Sequence, residues 1–181
     1  MSAYKSKRLE HIIKSTGDSI SPSVLKDYLG YMEDAYLIFS VPNLVSPLTE
    51  QQTIVKRYFA DNGILNNFLI NGETKLLENL VAIHLHKKYR NTEDERRLFY
   101  YSKGAEVDFC IPETSEAIQV SYSIDDPLTY EREVGGLSKF LKAYKQYRGV
   151  VVTWDTERQI VENGEKIDVI PIWKWLLARI R

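Results

Sequence analysis

Several features that would define the class of this protein are scarce or missing from its sequence. Its 181 residues include a single cysteine, Cys110, so a disulfide scaffold is excluded and a reducing, cytoplasmic location is expected. No run of about 18 apolar residues occurs, so we expect no transmembrane helix and no membrane partner. The N-terminus lacks the apolar segment of a signal peptide. Basic and acidic residues are nearly balanced, 24 against 25. This balance argues against nucleic-acid binding over a broad basic surface and leaves room only for a local basic patch.

The phosphate-binding loop of ATP-hydrolysing enzymes is also absent. No stretch matches G-x-x-x-x-G-K-[S/T], so we expect this chain not to hydrolyse ATP. His84 and His86 lie two residues apart on a predicted helix, so they point to different sides and cannot share a metal. What is present, 44% hydrophobic and 27% charged residues, fits one sizeable globular domain, or one domain with a small module.

Residues 105–123 are the most informative stretch of the sequence. Two apolar, β-branched runs separated by a short segment at Pro112 predict a β-hairpin. Asp108 lies inside the first run, and a buried carboxylate is destabilising unless it is paired, protonated or bound to a metal. Gln119 and Ser121 are two residues apart in the second run and therefore share one face of the strand. If no metal is bound there, we expect the Gln119 amide and the Ser121 hydroxyl to donate hydrogen bonds to the Asp108 carboxylate.

A helix from Glu73 to about Tyr89 carries a second notable carboxylate. Glu78 falls among Leu77, Val81 and other apolar residues, close to the edge of the face that should be buried. It is either a solvated edge residue or a partner for a group in the core. The remaining pattern predicts strands at 35–39, 54–59, 98–101 and 149–154, helices at 64–70 and 126–147 (the latter with a kink or close packing at 135–136), a closing hairpin turning at 163–164, and a last helix from 171.

The first 40 residues predict a small helical module. Ser21 and Pro22 suit the N-cap and first position of a helix, which follows an earlier amphipathic helix and precedes an apolar strand. This order is the outline of a winged helix; the alternative is that these helices only pack against the main domain. The basic residues of the module are the candidates for electrostatic binding of DNA: Lys5, Lys7, Arg8, Lys14 and Lys26.

The order of these elements resembles the core of the PD-(D/E)xK nuclease-like proteins. The whole chain resembles, more closely, the C-terminal region of a large family of prokaryotic AAA-type ATPases. That region is a domain of unknown function that follows an ATPase module and a winged helix. The stretches that carry the resemblance are 28–29, 33–39, 56–63, 77–81, 106–109 and 118–123.

The resemblance implies an α/β fold with a restriction-endonuclease-like mixed sheet flanked by helices at 46–181, preceded by a winged-helix-like module at 1–45. It makes Glu78 and Asp108 the carboxylates that would hold Mg²⁺ or Mn²⁺. Gln119 and Ser121 stand where active enzymes carry Glu and Lys, so the site is expected to be degenerate. Lys103 lies just before the Asp108 strand and could reach in to restore a positive charge, although nothing in the sequence requires it to do so.

Three functions remain open at this point. The first is an accessory C-terminal domain that binds nucleic acid or protein and works with an AAA-type ATPase module, fused or adjacent, which would be the part that binds ATP. The second is a divalent-metal-dependent DNA nuclease using Glu78, Asp108 and Gln119. The third is a docking module that holds the ATPase module or a second copy of the chain in a homo-oligomer.

Overall fold

The computed structural model describes residues 20–47, 49–50, 54–69, 72–90, 95 and 97–179. Its main element is a six-stranded mixed β-sheet with helices on both faces, which confirms the α/β class. None of the helices in these ranges is long and apolar enough to cross a membrane. In chain order the elements are α1 (Pro22–Asp34), β1 (Ile38–Pro42), β2 (Val55–Phe59), α2 (Asn62–Asn66), α3 (Glu73–Lys88), β3 (Phe99–Ser102), β4 (Glu106–Ile111), β5 (Glu116–Val120), α4 (Pro127–Tyr130), a π-helical turn (Glu131–Gly135), α5 (Gly136–Ala143), β6 (Arg148–Thr153), β7 (Arg158–Glu162), β8 (Glu165–Pro171) and α6 (Ile172–Leu177).

The strands of the main sheet lie in the order β3-β4-β5-β6-β8-β7. The first three form an antiparallel meander, in which β4 and β5 are the hairpin predicted at residues 105–123, whereas β5, β6 and β8 run parallel to one another. Parallel neighbours need a crossover, and the chain between β5 and β6 makes it through α4, the π-helical turn and α5. As a result, the C-terminal ends of β5, β6 and β8 meet at one edge of the sheet.

Each face of the sheet is covered by its own apolar cluster, which explains why the strands are apolar on both sides. On one face α3 and α6 pack against the sheet, and on the other face α5 does. The first cluster includes Leu77, Val81, Leu85, Phe109, Ile118, Val152 and Trp175, and the second includes Val107, Cys110, Val134, Leu137, Phe140, Val151 and Ile167.

A second, two-stranded antiparallel sheet joins β1 to β2. Helix α1 packs against it through Leu25 and Leu29, and the Ser21 side chain accepts a hydrogen bond from the backbone N–H of Val24, as expected of the N-cap. The backbone N–H of Leu44 donates to the carbonyl of Tyr100 at 2.7 Å, so β1 is tied to the edge of the main sheet. Strand β1 lies before the predicted domain boundary between residues 45 and 46, and β2 lies after it, so this sheet crosses that boundary.

Three elements differ from the sequence-based expectation, and the first is the helix predicted at 64–70, which lies at Asn62–Asn66. The strand predicted at 35–39 lies at Ile38–Pro42, because the backbone turns at Tyr36, which has a φ of 55°. The helix predicted over 126–147 is broken into α4, the π-helical turn and α5, and the turn ends at Gly135, where the sequence predicts a kink or close packing. The closing hairpin turns at Asn163 and Gly164 as predicted, and both have positive φ.

Candidate functional site

A buried lysine lies at the centre of the candidate site. Lys56 belongs to β2, and its side chain is only 3% exposed. Its ammonium nitrogen lies 2.9 Å from Oδ1 of Asp108, 2.7 Å from Oε1 of Glu106 and 3.7 Å from Oε1 of Glu78. These four residues are called the Lys56 cluster below. The structure therefore brings the two predicted metal ligands together, but around an ammonium group of the chain itself.

A β-bulge turns Asp108 toward this cluster. Phe99 pairs with Cys110 and Tyr101 with Val107, so β4 contains one more residue than β3 between the two pairs. Regular alternation would put Asp108 on the face of Cys110, which packs toward α5. The extra residue instead lets Asp108 lie on the α3 side of the sheet, where Lys56 and Glu78 are.

The Asp108 carboxylate has a partner at each oxygen. Oδ1 accepts from the Lys56 ammonium, and Oδ2 accepts from the backbone N–H of Val120 at 3.0 Å. Two such charge-assisted or backbone hydrogen bonds account for a carboxylate that is buried in an apolar sheet.

The prediction that Gln119 and Ser121 satisfy Asp108 is wrong. The Gln119 carbonyl oxygen accepts from the backbone N–H of Asp108 at 3.2 Å, and its amide nitrogen donates to Glu133. The Ser121 hydroxyl donates to the backbone carbonyl of Ser123 at 2.6 Å. Both side chains thus have other partners, and the Asp108 carboxylate is satisfied by Lys56 and by the backbone N–H of Val120 instead.

Burial disfavours the ionised form of Glu78. Tyr58, two residues after Lys56 on β2, donates its hydroxyl to Oε1 of Glu78 at 2.8 Å. Burial raises the pKa of Glu78 to about 7, the charge of Asp108 adds to this, and Lys56 and Tyr58 oppose it. Glu78 therefore exchanges its proton near neutral pH.

Lys56 keeps its charge over the whole physiological range. Burial lowers the pKa of its ammonium, but the charges of Asp108, Glu78 and Glu106 outweigh burial and hold the pKa well above its usual value. Burial also raises the pKa of the Tyr58 hydroxyl, and the charge of Glu78 adds to this, so Tyr58 remains a hydrogen-bond donor.

A further carboxylate borders the cluster from the other face of the sheet. Glu133 lies in the π-helical turn, accepts from Gln119, and is paired with Arg132, whose Nε lies 2.8 Å from Oε1. Burial raises the pKa of Glu133, and the charge of Asp108 adds to this. Gln119 thus links Asp108 to Glu133 through its two amide atoms.

Three residues of this site, Lys56, Glu106 and Glu133, were missed by sequence reasoning. Glu106 precedes Asp108 by two residues, so strand alternation alone was a sufficient signal. Lys56 lies inside the apolar run 54–59, where a long charged side chain needs a partner as much as Asp108 does. Glu133 carries no comparable signal, because its burial depends on the π-helical turn.

The arrangement does not fit a divalent cation as it stands. In the described part of the chain, no three His, Cys, Asp or Glu side chains are placed to hold a metal ion together. Glu78 and Asp108 offer hard oxygen donors of the kind that Mg²⁺ and Mn²⁺ prefer, but the Lys56 ammonium lies between them and would have to be displaced.

Only one of the predicted nucleic-acid-binding residues can be placed. Lys5, Lys7, Arg8 and Lys14 lie outside the described residues, and Lys26 is exposed on α1. Basic side chains do gather elsewhere, at an open groove of about 350 Å³ between β1 and the end of α3. Its walls include Tyr36, Phe39, His86, Lys87 and Arg90.

The two histidines contact different neighbours, as predicted from their spacing. His86 stacks on Phe39 at the groove, with ring centroids 4.1 Å apart. His84 instead meets the edge of Trp175 on α6 at 5.3 Å. They do not form a common site.

Comparison with known proteins places this site within a family. A family model described as "Domain of unknown function (DUF4143)" matches residues 73–175, which begin with α3 and include Glu78, Glu106 and Asp108 but not Lys56. The chain is also 34% identical, over 182 aligned positions, to "Uncharacterized protein MJ1544" of Methanocaldococcus jannaschii. The alignment covers 95% of this chain and 40% of that protein, so the chain spans well under half the length of this relative.

Proposed function

The chain belongs to the DUF4143 family, and we propose that it is a nuclease-like domain without cleavage activity that serves as an accessory and interaction domain of an AAA-type ATP-binding protein. The observation that carries this proposal is the Lys56 ammonium within hydrogen-bonding distance of Glu106 and Asp108, in the position where a nuclease would hold its metal.

The order of elements supports a restriction-endonuclease-like core. Helix α3 supplies one carboxylate, β4 supplies another, β5 follows antiparallel to β4, and the crossover through α5 leads to the parallel strand β6. Helix α1 followed by the paired strands β1 and β2 supports a winged-helix-like module before it. Glu78 and Asp108 then correspond to the helix and strand carboxylates of such a core.

The loss of cleavage follows from the chemistry of the cluster. Metal-assisted hydrolysis needs a cation that polarises the phosphate or activates a water molecule, and ammonium does neither as a Lewis acid. If a metal took the place of Lys56 between the carboxylates, the buried ammonium would lose its partners or would have to give up its proton. The strongly raised pKa of Lys56 opposes loss of the proton. Gln119 is held by the Asp108 backbone and Glu133, and Ser121 carries no charge.

The role within a larger protein is supported by length and by the missing ATP site. The relative is more than twice as long as the aligned region, so sequence beyond this domain exists in that protein. This chain has no phosphate-binding loop, so ATP would be bound by an ATPase module, fused or adjacent. Its coding neighbourhood tests this part: an AAA-type module in the same or the next reading frame is expected.

A second candidate function is favoured by the same lysine. Lys56 supplies, from β2, the positive charge that Ser121 does not supply in the expected place. A divalent-metal-dependent DNA nuclease would then use Glu78 and Asp108 as ligands once Lys56 moves out from between them, and Lys56 would stabilise developing negative charge on the phosphate.

Incubation of the purified chain with supercoiled plasmid and with single-stranded DNA, in Mg²⁺ or Mn²⁺, separates the two candidates. We expect no cleavage by the wild type or by Asp108→Ala. The nuclease would be established, and the first proposal overturned, by cleavage with a specific pattern. The wild type and Lys142→Met, on the exposed side of α5, would cleave DNA, whereas Asp108→Ala and Lys56→Met would not.

A further inference from the structure

Three exposed aromatic side chains stand at the edge where the parallel strands end. Tyr122 follows β5, Trp154 directly follows β6, and Trp173 comes two residues after the end of β8. They are 38%, 51% and 57% exposed, respectively. Exposed tryptophan is uncommon, and tryptophan and tyrosine are enriched where proteins bind one another. These three residues are called the aromatic edge.

Two of the three residues of the aromatic edge, Tyr122 and Trp154, are held in place before any partner arrives. The rings of Tyr122 and Trp154 stack with centroids 5.5 Å apart and planes 15° from parallel. The backbone N–H of Trp154 donates to the carbonyl of Tyr122 at 3.1 Å, and the N–H of Tyr122 donates to the hydroxyl of Thr74 at 3.3 Å. A rigid aromatic surface loses little conformational entropy on binding.

The segments around the aromatic edge are acidic. Residues 73–75, 121–126, 154–157 and 173–177 are connected through the Thr74–Tyr122 hydrogen bond, the Tyr122–Trp154 stack and the ion pair of Lys174 with Glu157. These segments and the adjoining, exposed Arg158 contain three basic residues, of which Lys174 is engaged in that ion pair, against five acidic residues: Glu73, Asp125, Asp126, Asp155 and Glu157. Such a surface repels the phosphates of nucleic acids and attracts cationic groups.

We propose that the aromatic edge binds a basic, arginine-containing segment of a partner polypeptide. A guanidinium group stacks on the faces of tryptophan and tyrosine, and the surrounding carboxylates neutralise its charge. The inference rests on the proposed role as an interaction domain and names the partner chemistry for it. The two proposals can fail separately. The DNA cleavage assay tests the domain without nuclease activity, whereas peptide titration tests the binding of an arginine-containing segment.

The test is titration of the ¹⁵N-labelled chain of 181 residues with a capped peptide in which arginine alternates with glycine and serine. The chain has three tryptophans, and Trp175 is buried on α6, so its indole N–H signal is an internal reference. We expect saturable shifts of the Trp154 and Trp173 indole signals and none of the Trp175 signal. The lysine version of the peptide should bind more weakly, and the glutamate version should not shift these signals.

Matched variants assign the binding to this surface. Trp154→Ser should weaken binding of the arginine peptide about fivefold, as expected when one cation–π interaction is removed. Asp125→Asn combined with Asp155→Asn should weaken it further, whereas Tyr31→Ser, an exposed aromatic residue on α1, should leave it unchanged.

Three results would overturn the proposal. The first is equal binding by the wild type and Trp154→Ser. The second is a stronger shift of the same two indole signals by a single-stranded oligonucleotide than by the arginine peptide. The third is movement of these signals when the protein alone is concentrated, which would make the occupant a second copy of this chain.

Discussion

Lys56 and Asp108 are separated by 52 residues of sequence, yet the ammonium nitrogen of one lies 2.9 Å from a carboxylate oxygen of the other inside the folded chain. The contact joins the two-stranded sheet to the six-stranded sheet, since Lys56 belongs to β2 and Asp108 to β4. Because both side chains are buried, each makes the burial of the other tolerable. Removing either one leaves the other without its main partner.

The substitution Lys56→Met should therefore destabilise the fold. It keeps most of the side-chain volume but removes the ammonium, which leaves Asp108 and Glu106 without their shared cation. Breaking a buried ion pair in this way costs roughly 3–5 kcal/mol, so we expect the free energy of unfolding in urea to fall by about 3 kcal/mol at neutral pH. Lys142→Met, on the exposed side of α5, is the control and should change stability by less than about 0.5 kcal/mol. A Lys56→Met variant as stable as this control would contradict the cluster as described.

The stability of the wild type should contain a contribution that fades as the pH rises through 7. The pKa of Glu78 is about 7 in the folded chain against an ordinary value of 4.5, so the folded state holds this proton more tightly than the unfolded state. The resulting stability is fully present below about pH 4.5 and is lost as the pH rises to 7. Between pH 5 and 8 the wild type should lose roughly 2 kcal/mol more than Glu78→Gln.

Urea unfolding of both proteins across this pH range measures the difference. Subtracting the Glu78→Gln values from those of the wild type cancels the titration of groups common to the two proteins, such as His84, His86 and Glu133. Glu73→Gln, at the exposed start of the same helix, is the control and should follow the wild type. Parallel curves for the wild type and Glu78→Gln would show that Glu78 does not titrate in this range.

Metal ions should leave the thermal stability of the wild type unchanged. Lys56 provides the positive charge that a cation would otherwise supply to Asp108, so neither EDTA nor added Mg²⁺ or Mn²⁺ should shift the melting temperature. A ligand present at 100 times its dissociation constant would stabilise the chain by about 2.7 kcal/mol, which a melting curve detects readily. A melting temperature raised by Mn²⁺ in the wild type but not in Asp108→Asn would mean that the site binds metal.

Any binding of DNA should be electrostatic and should fall steeply with added salt. We expect the binding residues to be Lys5, Lys7, Arg8, Lys14 and Lys26. Replacing the first four by serine should make the slope of log affinity against log salt shallower by about 0.9 for each phosphate that the variant no longer neutralises. The comparison variant is Lys87→Ser with Arg90→Ser, in the groove beside β1. If only this comparison variant binds DNA more weakly, the binding site is the groove and not the N-terminal module.

Much of the fold was predictable because apolar periodicity is a local signal. The strands at 54–59 and 149–154 and the helix beginning at Glu73 lie close to where the pattern placed them. The burial of Asp108 was equally predictable, since a carboxylate between Val107 and Phe109 cannot reach solvent from a strand covered on both faces. These inferences need only neighbouring residues.

The partners of Asp108 were not predictable in the same way. The choice between Gln119, Ser121 and Lys56 depends on how two separate sheets meet, and no local pattern encodes that geometry. The bulge in β4 and the π-helical turn after α4 each add one residue to a regular element. Each thereby changes the direction of a side chain, Asp108 in β4 and Glu133 in the turn. Sequence reasoning recognised an irregularity near Gly135 from the glycine pair but had no signal for the bulge.

The family match begins at Glu73, whereas the cation of the Lys56 cluster is contributed by a strand that precedes it. A fragment expressed from residue 73 to residue 175 would retain Glu78, Glu106 and Asp108 and lose the only ammonium that contacts all three in the described chain. The boundary of sequence similarity therefore separates Lys56 from the three carboxylates it contacts, and a truncation intended to isolate the family domain should begin upstream of β2.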